Sequence, residues 1–306
     1  MIANPPKHRS CGAHILLVEP SHFDVHYAIN PWMAPAQWQA HEAELRRGAQ
    51  AGFAALERAL TAAGCRLTVL AGEAGLPDMV FPANAAIVLD GRALMARFRH
   101  PERRGEEAHF LRHFEQLQAL GVVDEVLSVP DGCVQEGAGD CIWDAVRGQF
   151  WAGWGPRSDR AAAEHIAQVF RQPVVPLELV TERAYHLDVC FAPLSGGEVV
   201  WYPPAFSAES RARVIAQVGD AQLIEASEAD LAGFNVNMVN LRRELVMNTC
   251  TPRLRRTLSQ RGYRVRDVPL APFTLAGGGA FCMTLRLDRM SQPVGRPDRQ
   301  ALEADA

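Results

Sequence analysis

A unit of helix, strand and hairpin recurs along this chain, and the repeat restricts the fold more than any other feature of the sequence. Periodicity predicts helices over residues 37–63, 105–120, 159–170, 207–218 and 251–261. A short apolar strand follows each helix, over residues 65–70, 122–129, 173–179, 222–226 and 263–268. Such regular self-similarity, at a spacing of about 45 to 60 residues, is typical of a closed repeat architecture.

Most of these strands lead into a hairpin. Three hairpins are predicted over residues 84–98, 141–154 and 188–202, with turns at Asp90-Gly91, Arg147-Gly148 and Ser195-Gly196-Gly197, and a weaker one over 237–248. The fifth unit, ending in the apolar run 283–287, lacks a second strand, which a strand over 14–18 can supply. We therefore predict an α/β fold with pseudo-fivefold repeats, a five-bladed α/β propeller closed by its terminal strands. The alternative is a three-layer α/β fold without internal symmetry.

The loops that precede the hairpins, here called the axial loops, are expected to meet at the centre of such a ring. They read P-D-M-V-F-P-A-N (77–84), Q-E-G-A-G-D (135–140), Y-H-L-D (185–188), F-N-V-N (234–237) and G-G-G-A-F-C (277–282). They contain most residues suited to binding or catalysis: Asp78, Asn84, Glu136, Asp140, His186, Asp188 and Cys282. Because these residues recur at equivalent positions of the repeat, the sequence predicts one shared site.

The chemistry of this set favours a thiol nucleophile acting on a planar cation. Cys282 follows three glycines, which allow a sharp turn or a close ligand approach. His186 can protonate a leaving amine and then activate water. Glu136 and Asp188 supply carboxylates, whose natural planar partner is a guanidinium. A thiol facing carboxylates is poorly activated without a cation, so we expect bound substrate to help form the thiolate.

Each candidate also has a purely structural interpretation. Cys282 suits a buried core cysteine after a flexible loop, and His186 suits a hydrogen-bonded core histidine. Short carboxylates beside glycine commonly cap turns, which applies to Glu136 and Asp140. For the structural interpretation to be right, every one of these residues would have to be purely structural, although all of them occupy the same position of the repeat. The functional interpretation of the whole set is therefore favoured.

Composition excludes several classes of function. The net charge of −4 and the pI near 6.2 argue against a nucleic-acid binder. No apolar run is long enough to cross a membrane, and the N-terminus lacks the apolar region of a secretory signal. The seven cysteines, at 11, 65, 133, 141, 190, 250 and 282, show no C-x-x-C spacing. We expect reduced thiols in the cytoplasm, with no metal and no cofactor.

The axial loops at 135–140, 185–188 and 277–284 resemble those of the guanidino-group-modifying enzymes. That superfamily includes arginine deiminases, dimethylarginine dimethylaminohydrolases, amidinotransferases and arginine dihydrolases. The resemblance spans residues 14–288 and implies the pentein fold, a five-bladed α/β propeller. It implies that Cys282 attacks the guanidinium carbon, that His186 is general acid and base, and that Glu136 and Asp188 hold guanidinium nitrogens. A covalent amidino-thioether would then react with water, or with an amine in a transferase.

The segments Y-A-I-N-P-W-M (27–33) and D-M-V-F-P-A-N-A (78–85) look most like the arginine dihydrolases, which convert arginine to ornithine, carbon dioxide and ammonia. The resemblance implies that Asn30 and Asn84 hold a citrulline-like intermediate for a second attack. Deiminases and dimethylarginine hydrolases usually have aspartate in place of Asn84, which disfavours these two activities unless Asp78 takes over the cation contact. Amidinotransfer also stays open, as does an inactive propeller that binds an arginine-like ligand.

An amino-acid substrate also needs a cation for its carboxylate. Arg97 and Arg157 follow the first two hairpins and are our candidates, whereas a solvated basic face is the structural interpretation of most arginines nearby. The expected partner is a small guanidino compound, arginine or a methylated arginine, and the sequence leaves open whether the chain forms a homo-oligomer. We expect one catalytic domain over residues 1–290 and a polar tail over 291–306.

Overall fold

The computed structural model describes residues 12–292. Within them the strands are β1 (His14–Val18), β2 (Arg66–Leu70), β3 (Ala86–Leu89), β4 (Arg92–Met95), β5 (Glu125–Ser128), β6 (Cys141–Asp144), β7 (Gln149–Trp154), β8 (Val174–Glu178), β9 (Phe191–Pro193), β10 (Val199–Trp201), β11 (Leu223–Glu225), β12 (Val239–Leu241), β13 (Glu244–Met247), β14 (Arg264–Asp267) and β15 (Leu285–Arg286).

These strands form five three-stranded sheets of one pattern, in the orders β15-β1-β2, β3-β4-β5, β6-β7-β8, β9-β10-β11 and β12-β13-β14. In each sheet the first two strands are antiparallel and the third is parallel to the second. A helix makes each parallel crossover, as parallel pairing requires a long connection. The repeat is therefore confirmed. β1 pairs with β15, so the N-terminal strand completes the last sheet as predicted.

The helices are α1 (Pro35–Ala40), α2 (Glu42–Ala62), α3 (Pro101–Ala119), α4 (Ala162–Phe170), α5 (Leu187–Cys190), α6 (Ala208–Val218), α7 (Glu228–Ala232), α8 (Pro252–Gln260) and α9 (Ala271–Thr274). The crossover helices are α2, α3, α4, α6 and α8. The predicted helix over 37–63 is divided at His41, whose φ of −130° lies outside the helical region. α3 begins at Pro101 rather than near 105, because proline at the first helical position loses no hydrogen bond.

The predicted third hairpin starts later than the sequence indicates. Residues 187–190 form the short helix α5, and β9 begins only at Phe191. This single turn places Asp188 on a helix rather than at the start of a strand. The fifth hairpin is also shorter than the predicted run 283–287, since β15 contains two residues.

Apolar packing joins the helix of each unit to its sheet and to the next unit. Phe110, Phe114 and Leu117 of α3 pack in one cluster with Val88 of β3. Leu16 of β1 belongs to the same cluster, so neighbouring sheets share a core. This packing fixes the starts of the strands, and hence the axial loops, relative to one another. The expected division into residues 1–290 and 291–306 stays a prediction, because the first residues, Cys11 among them, and residues 293–306 lie outside the described part.

Candidate active site

Hydrogen bonds link the five axial loops in a closed ring. Each bond joins one loop to the next: Asn84 Nδ2 to the Glu136 carbonyl at 3.1 Å, Leu187 N to Asp140 Oδ1 at 3.0 Å, Asn237 Nδ2 to the Asp188 carbonyl at 3.2 Å, Phe281 N to Asn237 Oδ1 at 2.9 Å, and Ala83 N to the Cys282 carbonyl at 3.1 Å. The axial loops therefore meet as predicted, through direct hydrogen bonds between segments that are far apart in sequence.

The thiol of Cys282 lies between an amide and a carboxylate. Asn237 Nδ2 donates to Sγ at 3.0 Å, and Sγ–H donates to Asp188 Oδ2 at 3.2 Å. Burial raises the pKa of Cys282 well above its ordinary value, and the negative charge of Asp188 raises that pKa further. The raised pKa favours the protonated thiol, and a cation bound beside it would favour the thiolate.

The other oxygen of Asp188 has no partner among the described residues. Oδ1 is buried without a hydrogen bond, although buried carboxylate oxygens are normally paired. Burial raises the pKa of Asp188 to about 7, against the opposing effect of the hydrogen bonds from Cys282 and Asn237. A carboxylate oxygen thus lies next to the thiol and is available to a donor from a ligand.

His186 is held by Glu136. His186 Nε2 lies 2.7 Å from Glu136 Oε2, which also accepts from Arg157 Nη1 at 3.0 Å, and the backbone N–H of Arg99 donates to Oε1 at 3.0 Å. Burial alone would raise the pKa of Glu136, but the hydrogen bond from His186 and the charge of Arg157 outweigh it and hold that pKa far below its usual value. Because Glu136 is ionised, Nε2 carries a proton and Nδ1 is the acceptor nitrogen of the neutral ring.

Asp140 supports the histidine loop instead of facing the thiol. Its Oδ2 accepts from the hydroxyl of Ser158 at 2.6 Å, and its Oδ1 accepts from the backbone N–H of Leu187 at 3.0 Å. Burial raises the pKa of Asp140 to about 6. Both oxygens are used within the protein, so the structure places this predicted substrate-binding residue behind the site, with Oδ2 4.0 Å from His186 Nε2.

Asn84 lies between an arginine and the histidine. Its Oδ1 accepts from Arg103 Nη1 at 2.9 Å, while its Nδ2 lies 3.1 Å from the Glu136 carbonyl and 3.5 Å from His186 Nδ1. A Cβ on Gly139 would lie 2.2 Å from Asn84 Nδ2, so only glycine lets the two loops approach this closely. The amide N–H groups of Asn84 therefore face the histidine side of the site.

Asp78 is a second buried carboxylate with one oxygen unpartnered in the described chain. Its Oδ2 accepts from the hydroxyl of Tyr27 at 2.8 Å and lies 4.0 Å from Arg103 Nε, whereas Oδ1 has no hydrogen bond. Burial raises the pKa of Asp78, and the charge of Arg103 and the Tyr27 hydrogen bond oppose that rise. Asp78 thus presents a second acceptor to a positively charged ligand group.

The three glycines before Cys282 are required by close packing. Gly277 has φ +89°, and a Cβ there would lie 2.7 Å from Asn30 Oδ1, while one on Gly278 would lie 2.1 Å from the ring of Phe81. Asn30 in turn donates from Nδ2 to the Ala276 carbonyl at 3.1 Å. The structure therefore brings the predicted residue Asn30 directly against the axial loop that contains Cys282.

A surface depression of about 830 Å³ borders the site on this side. Its lining includes Asn30, Arg99, His100, Arg157 and Tyr185. Arg157 stacks over the ring of Tyr185 and also donates to the Ile29 carbonyl at 2.9 Å. The lining thus contains two arginines and also Glu182, and the depression adjoins the residues that hold His186.

The structure does not bring Arg97 to the site. Its guanidinium pairs with Asp131 at 2.9 Å and donates to the Pro130 carbonyl at 3.0 Å, partly in solvent. Arg97 and Arg157 lie in the segments that follow β4 and β7, where no periodic pattern indicates the direction of a side chain. Arg157 is the member of the predicted pair that the structure places in the site.

Two residues that contact Cys282 or Asn84 were not predicted from the sequence. Asn237, bonded to Cys282, ends the fourth axial loop, so its place in the repeat was a usable signal. Arg103, bonded to Asn84, lies on α3 outside every axial loop, and no local pattern distinguished it from its arginine neighbours.

The described residues contain no group of three acidic, histidine or cysteine side chains able to hold a metal ion, and no helix among them is long and apolar enough to span a membrane.

Comparison with known proteins assigns the family. A sequence model of the family described as eukaryotic N,N dimethylarginine dimethylhydrolase matches residues 19–289. The chain belongs to this family. The N(G),N(G)-dimethylarginine dimethylaminohydrolase of Mycobacterium tuberculosis is 33% identical over 274 residues, which cover 89% of this chain and 84% of the relative. The wider guanidino-modifying superfamily suggested by the axial loops is thereby confirmed.

Two bifunctional proteins are also similar. The bifunctional arginine dihydrolase/ornithine cyclodeaminase ArgZ of Synechocystis is 39% identical over 274 residues, covering 89% of this chain and 37% of ArgZ. The corresponding protein AgrE of Nostoc is 36% identical over 290 residues, covering 91% of this chain and 38% of AgrE. The chain thus spans somewhat more than a third of the length of these two relatives.

Solved structures share the fold. The N-terminal domain of ArgZ, crystallised as a cysteine-to-serine mutant bound to substrate, superposes with a TM-score of 0.82 at 34% identity, over 92% of this chain and 100% of that domain. A dimethylarginine dimethylaminohydrolase adduct with S-methyl-L-thiocitrulline superposes with a TM-score of 0.71 at 20% identity. The five-bladed α/β propeller predicted for this member of the dimethylarginine dimethylhydrolase family is confirmed.

Proposed function

We propose that this protein is a cysteine-dependent hydrolase of C–N bonds in linear amidines that converts arginine to ornithine, carbon dioxide and ammonia. One observation carries the proposal: Asp188 has one oxygen on the Cys282 thiol and a second, buried oxygen without a partner in the described chain. A guanidinium that donates to Oδ1 brings its carbon next to Sγ. The similarity to the ArgZ arginine dihydrolase domain supports the choice of substrate.

In the first hydrolysis, the thiol proton of Cys282 passes to His186 Nδ1, Sγ attacks the guanidinium carbon, and His186 gives that proton to the amine that leaves as ammonia. A guanidinium about 4 Å from Sγ stabilises the thiolate by about 4 kcal/mol at an effective dielectric constant of about 20, which offsets the repulsion from Asp188. Water, deprotonated by His186, then attacks the amidino-thioether carbon and releases the thiol and citrulline. Glu136 orients the imidazole throughout and stabilises its protonated form.

In the second hydrolysis, the thiol proton passes to His186, Sγ attacks the ureido carbon of citrulline, and the second ammonia leaves with that proton. Water then cleaves the S-carbamoyl bond, and the resulting N-carboxy-ornithine loses carbon dioxide. One arginine and two waters therefore yield ornithine, carbon dioxide and two ammonia. Citrulline is neutral and offers a carbonyl oxygen, so it needs a hydrogen-bond donor where arginine needed an acceptor. One N–H of the Asn84 amide donates to the Glu136 carbonyl, and the other, which lies 3.5 Å from His186 Nδ1, is the donor that we assign to this oxygen.

The substrate carboxylate requires a cation at the mouth of the site. Arg157 lines the depression and uses two of its five N–H groups within the protein. We therefore propose that Arg157 binds the substrate carboxylate. Asp78 Oδ1, which has no partner among the described residues, would accept a hydrogen bond from a positively charged group of the substrate.

Dimethylarginine hydrolysis, giving citrulline and dimethylamine, is the second candidate, because the family model and the mycobacterial relative both carry that activity in their descriptions. Amidinotransfer differs only in the nucleophile that accepts the amidino group. An inactive propeller that binds an arginine-like ligand is the candidate that is not an enzyme.

Products distinguish these functions. The purified protein is incubated separately with arginine, dimethylarginine and citrulline, and products are identified by mass spectrometry with ammonia quantified enzymatically. We expect ornithine and two ammonia per arginine. Citrulline as the final product from arginine would contradict the dihydrolase proposal, and dimethylamine formed faster than ammonia would support the second candidate.

Two sets of variants test the residues. Cys282→Ser is expected to abolish turnover while arginine binding survives, and the half-buried Cys133→Ser serves as the matched control. Retained turnover in Cys282→Ser would remove the nucleophile assignment. Asn84→Ala and Asn30→Ala are expected to stop at citrulline, and an unchanged ornithine yield would remove them from the second hydrolysis.

A further inference from the structure

Two small cavities lie along the axis of the ring, between the first strands of the sheets. The larger, of about 40 Å³, is lined by residues of β15, β1, β3, β6, β7 and β12, and the smaller, of about 30 Å³, by residues of β6, β9 and β12. Both are lined by Trp143, Asn240 and Arg289, so they are treated together as the axial cavity. The smaller reaches Asp188, whereas Cys282 is not among the residues that line either one.

Arg289 brings an unpaired cation to this cavity. Its partly buried guanidinium forms no hydrogen bond and no ion pair with residues 12–292, and only its backbone carbonyl is used, accepting from Asp90 N at 2.9 Å. Burial, together with the charge of Arg286, lowers the pKa of Arg289 to about 10. A cation withdrawn from water without a counter-charge is costly, and charged groups in such places are normally paired.

Two carboxylates oppose this lowering of the pKa, but both are engaged elsewhere. Asp288 pairs with Arg286. Asp144 accepts from Arg147 Nη1 at 2.8 Å and from Trp151 Nε1 at 3.0 Å. The described part of the chain therefore supplies no direct counter-ion for the guanidinium that lines the axial cavity.

The rest of the lining suits an anion. The larger cavity is lined by Arg286 and Arg289 and by no acidic residue of the described chain. Trp143, which lines both cavities, has a buried indole N–H without an acceptor among residues 12–292. At about 10–15 Å³ for each water-sized body, the larger cavity holds about three such bodies, which admits a halide ion or a similarly small inorganic anion but not an amino acid.

We propose that the axial cavity is a binding site for one small monovalent inorganic anion, held by the guanidinium of Arg289. The guanidinium supplies both the charge and the N–H donors that such an ion requires. The ion neutralises a cation at the axis that the five sheets share. It therefore stabilises the folded chain relative to the unfolded chain, in which the site does not exist. This inference goes beyond the proposed function and does not depend on it.

The test measures the midpoint of thermal unfolding, Tm, with chloride as the probe. Sodium chloride replaces sodium gluconate at a constant ionic strength of about 0.2 M, so that screening does not change. Gluconate is the reference because it is too large for the cavity. For wild type we expect Tm to rise by about 3 °C or more and to saturate with chloride, as for a site with a Kd of about 1 mM.

The variant Arg289→Gln removes the cation and is expected to lose the chloride response. In gluconate its Tm should equal or exceed that of wild type, because an unpaired buried charge has been removed, whereas loss of a residue needed only for packing would lower Tm in both salts. The matched control is Arg256→Gln, at an exposed position of α8. It makes the same change in net charge and is expected to keep the response.

A wild-type Tm that is equal in the two salts, or a chloride response that Arg289→Gln retains in full, overturns the inference. If Arg289→Gln does not fold, crystals of the wild-type protein soaked in bromide provide the test. An anomalous peak at hydrogen-bond distance from the Arg289 guanidinium is expected, and its absence would overturn the inference. None of these results alters the products expected from arginine, so failure of this inference leaves the proposed function intact.

Discussion

Replacing Asp188 by asparagine has two opposite expected effects on Cys282. In the ligand-free protein the thiol lies 3.2 Å from Asp188 Oδ2, and the carboxylate opposes formation of the thiolate. The change removes that negative charge while keeping the size of the side chain. We therefore expect Cys282 of Asp188→Asn to be alkylated faster than in wild type, although catalysis on arginine becomes slower.

The magnitude follows from Coulomb's law. Two unit charges 3.2 Å apart repel by about 5 kcal/mol at an effective dielectric constant of about 20. Since burial raises the pKa of Asp188 to about 7, most of this repulsion is present at pH 8. A change of about 1.4 kcal/mol in thiolate stability alters the rate of alkylation tenfold, so an increase of at least about tenfold is expected. Turnover of arginine should fall by about 100-fold, because the acceptor for the guanidinium is lost.

The assay is alkylation by iodoacetamide at pH 8, followed by mass spectrometry of the peptide that contains Cys282. Cys133, whose side chain is half-buried and remote from the change, provides an internal control for reagent and pH. An alkylation rate of Cys282 that stays the same or decreases in Asp188→Asn would refute the argument that this carboxylate restrains the thiol. A change in the Cys133 rate of the same size would point to a general opening of the fold.

Three other predictions follow from the same contacts. Gly278→Ala is expected to lower the free energy of unfolding by about 1–3 kcal/mol, measured by urea denaturation, because its Cβ would strike the buried ring of Phe81; an unchanged midpoint would contradict this. Asn237→Ala is expected to reduce turnover by about 10- to 100-fold in steady-state assays, since it removes the donor to Sγ, and full activity would exclude that role. Asp140 has a raised pKa of about 6, so the stability it contributes is present at low pH and is lost as the pH rises from about 4 to 6. The stability difference between wild type and Asp140→Asn should therefore be about 2–3 kcal/mol smaller at pH 7 than at pH 4, and a pH-independent difference would contradict the raised pKa.

The fold could be predicted from the sequence because the patterns that indicate helices, strands and turns are local and recur along the chain. A helix followed by a short apolar strand recurs five times, and glycine turns mark three of the hairpins that come next. The missing strand of the fifth unit and the spare N-terminal strand together predict the closure that β1 and β15 make. The same repeat marks the axial loops, so the positions of Glu136, His186 and Cys282 follow from sequence as well.

The sequence does not determine which atoms face one another within the site. Arg97 and Arg103 follow the same hairpin but have different surroundings. Arg97 is partly exposed and pairs with Asp131, whereas Arg103 is buried and donates to Asn84. Asp140 and Asp188 occupy similar axial loops, yet Asp140 uses both oxygens internally whereas Asp188 keeps one free. Side-chain direction depends on packing between distant segments.

The sequence by itself thus determined the five-fold repeat and the loops that carry the chemistry, because both follow from short-range patterns. Only the tertiary structure decided the direction of the Asn84 amide and the free oxygen of Asp188. Each of these depends on a hydrogen bond, or on its absence, at a distance of about 3 Å between groups whose positions are fixed by packing between blades. A sequence pattern specifies which face a residue occupies, whereas such contacts require the position of every neighbouring side chain.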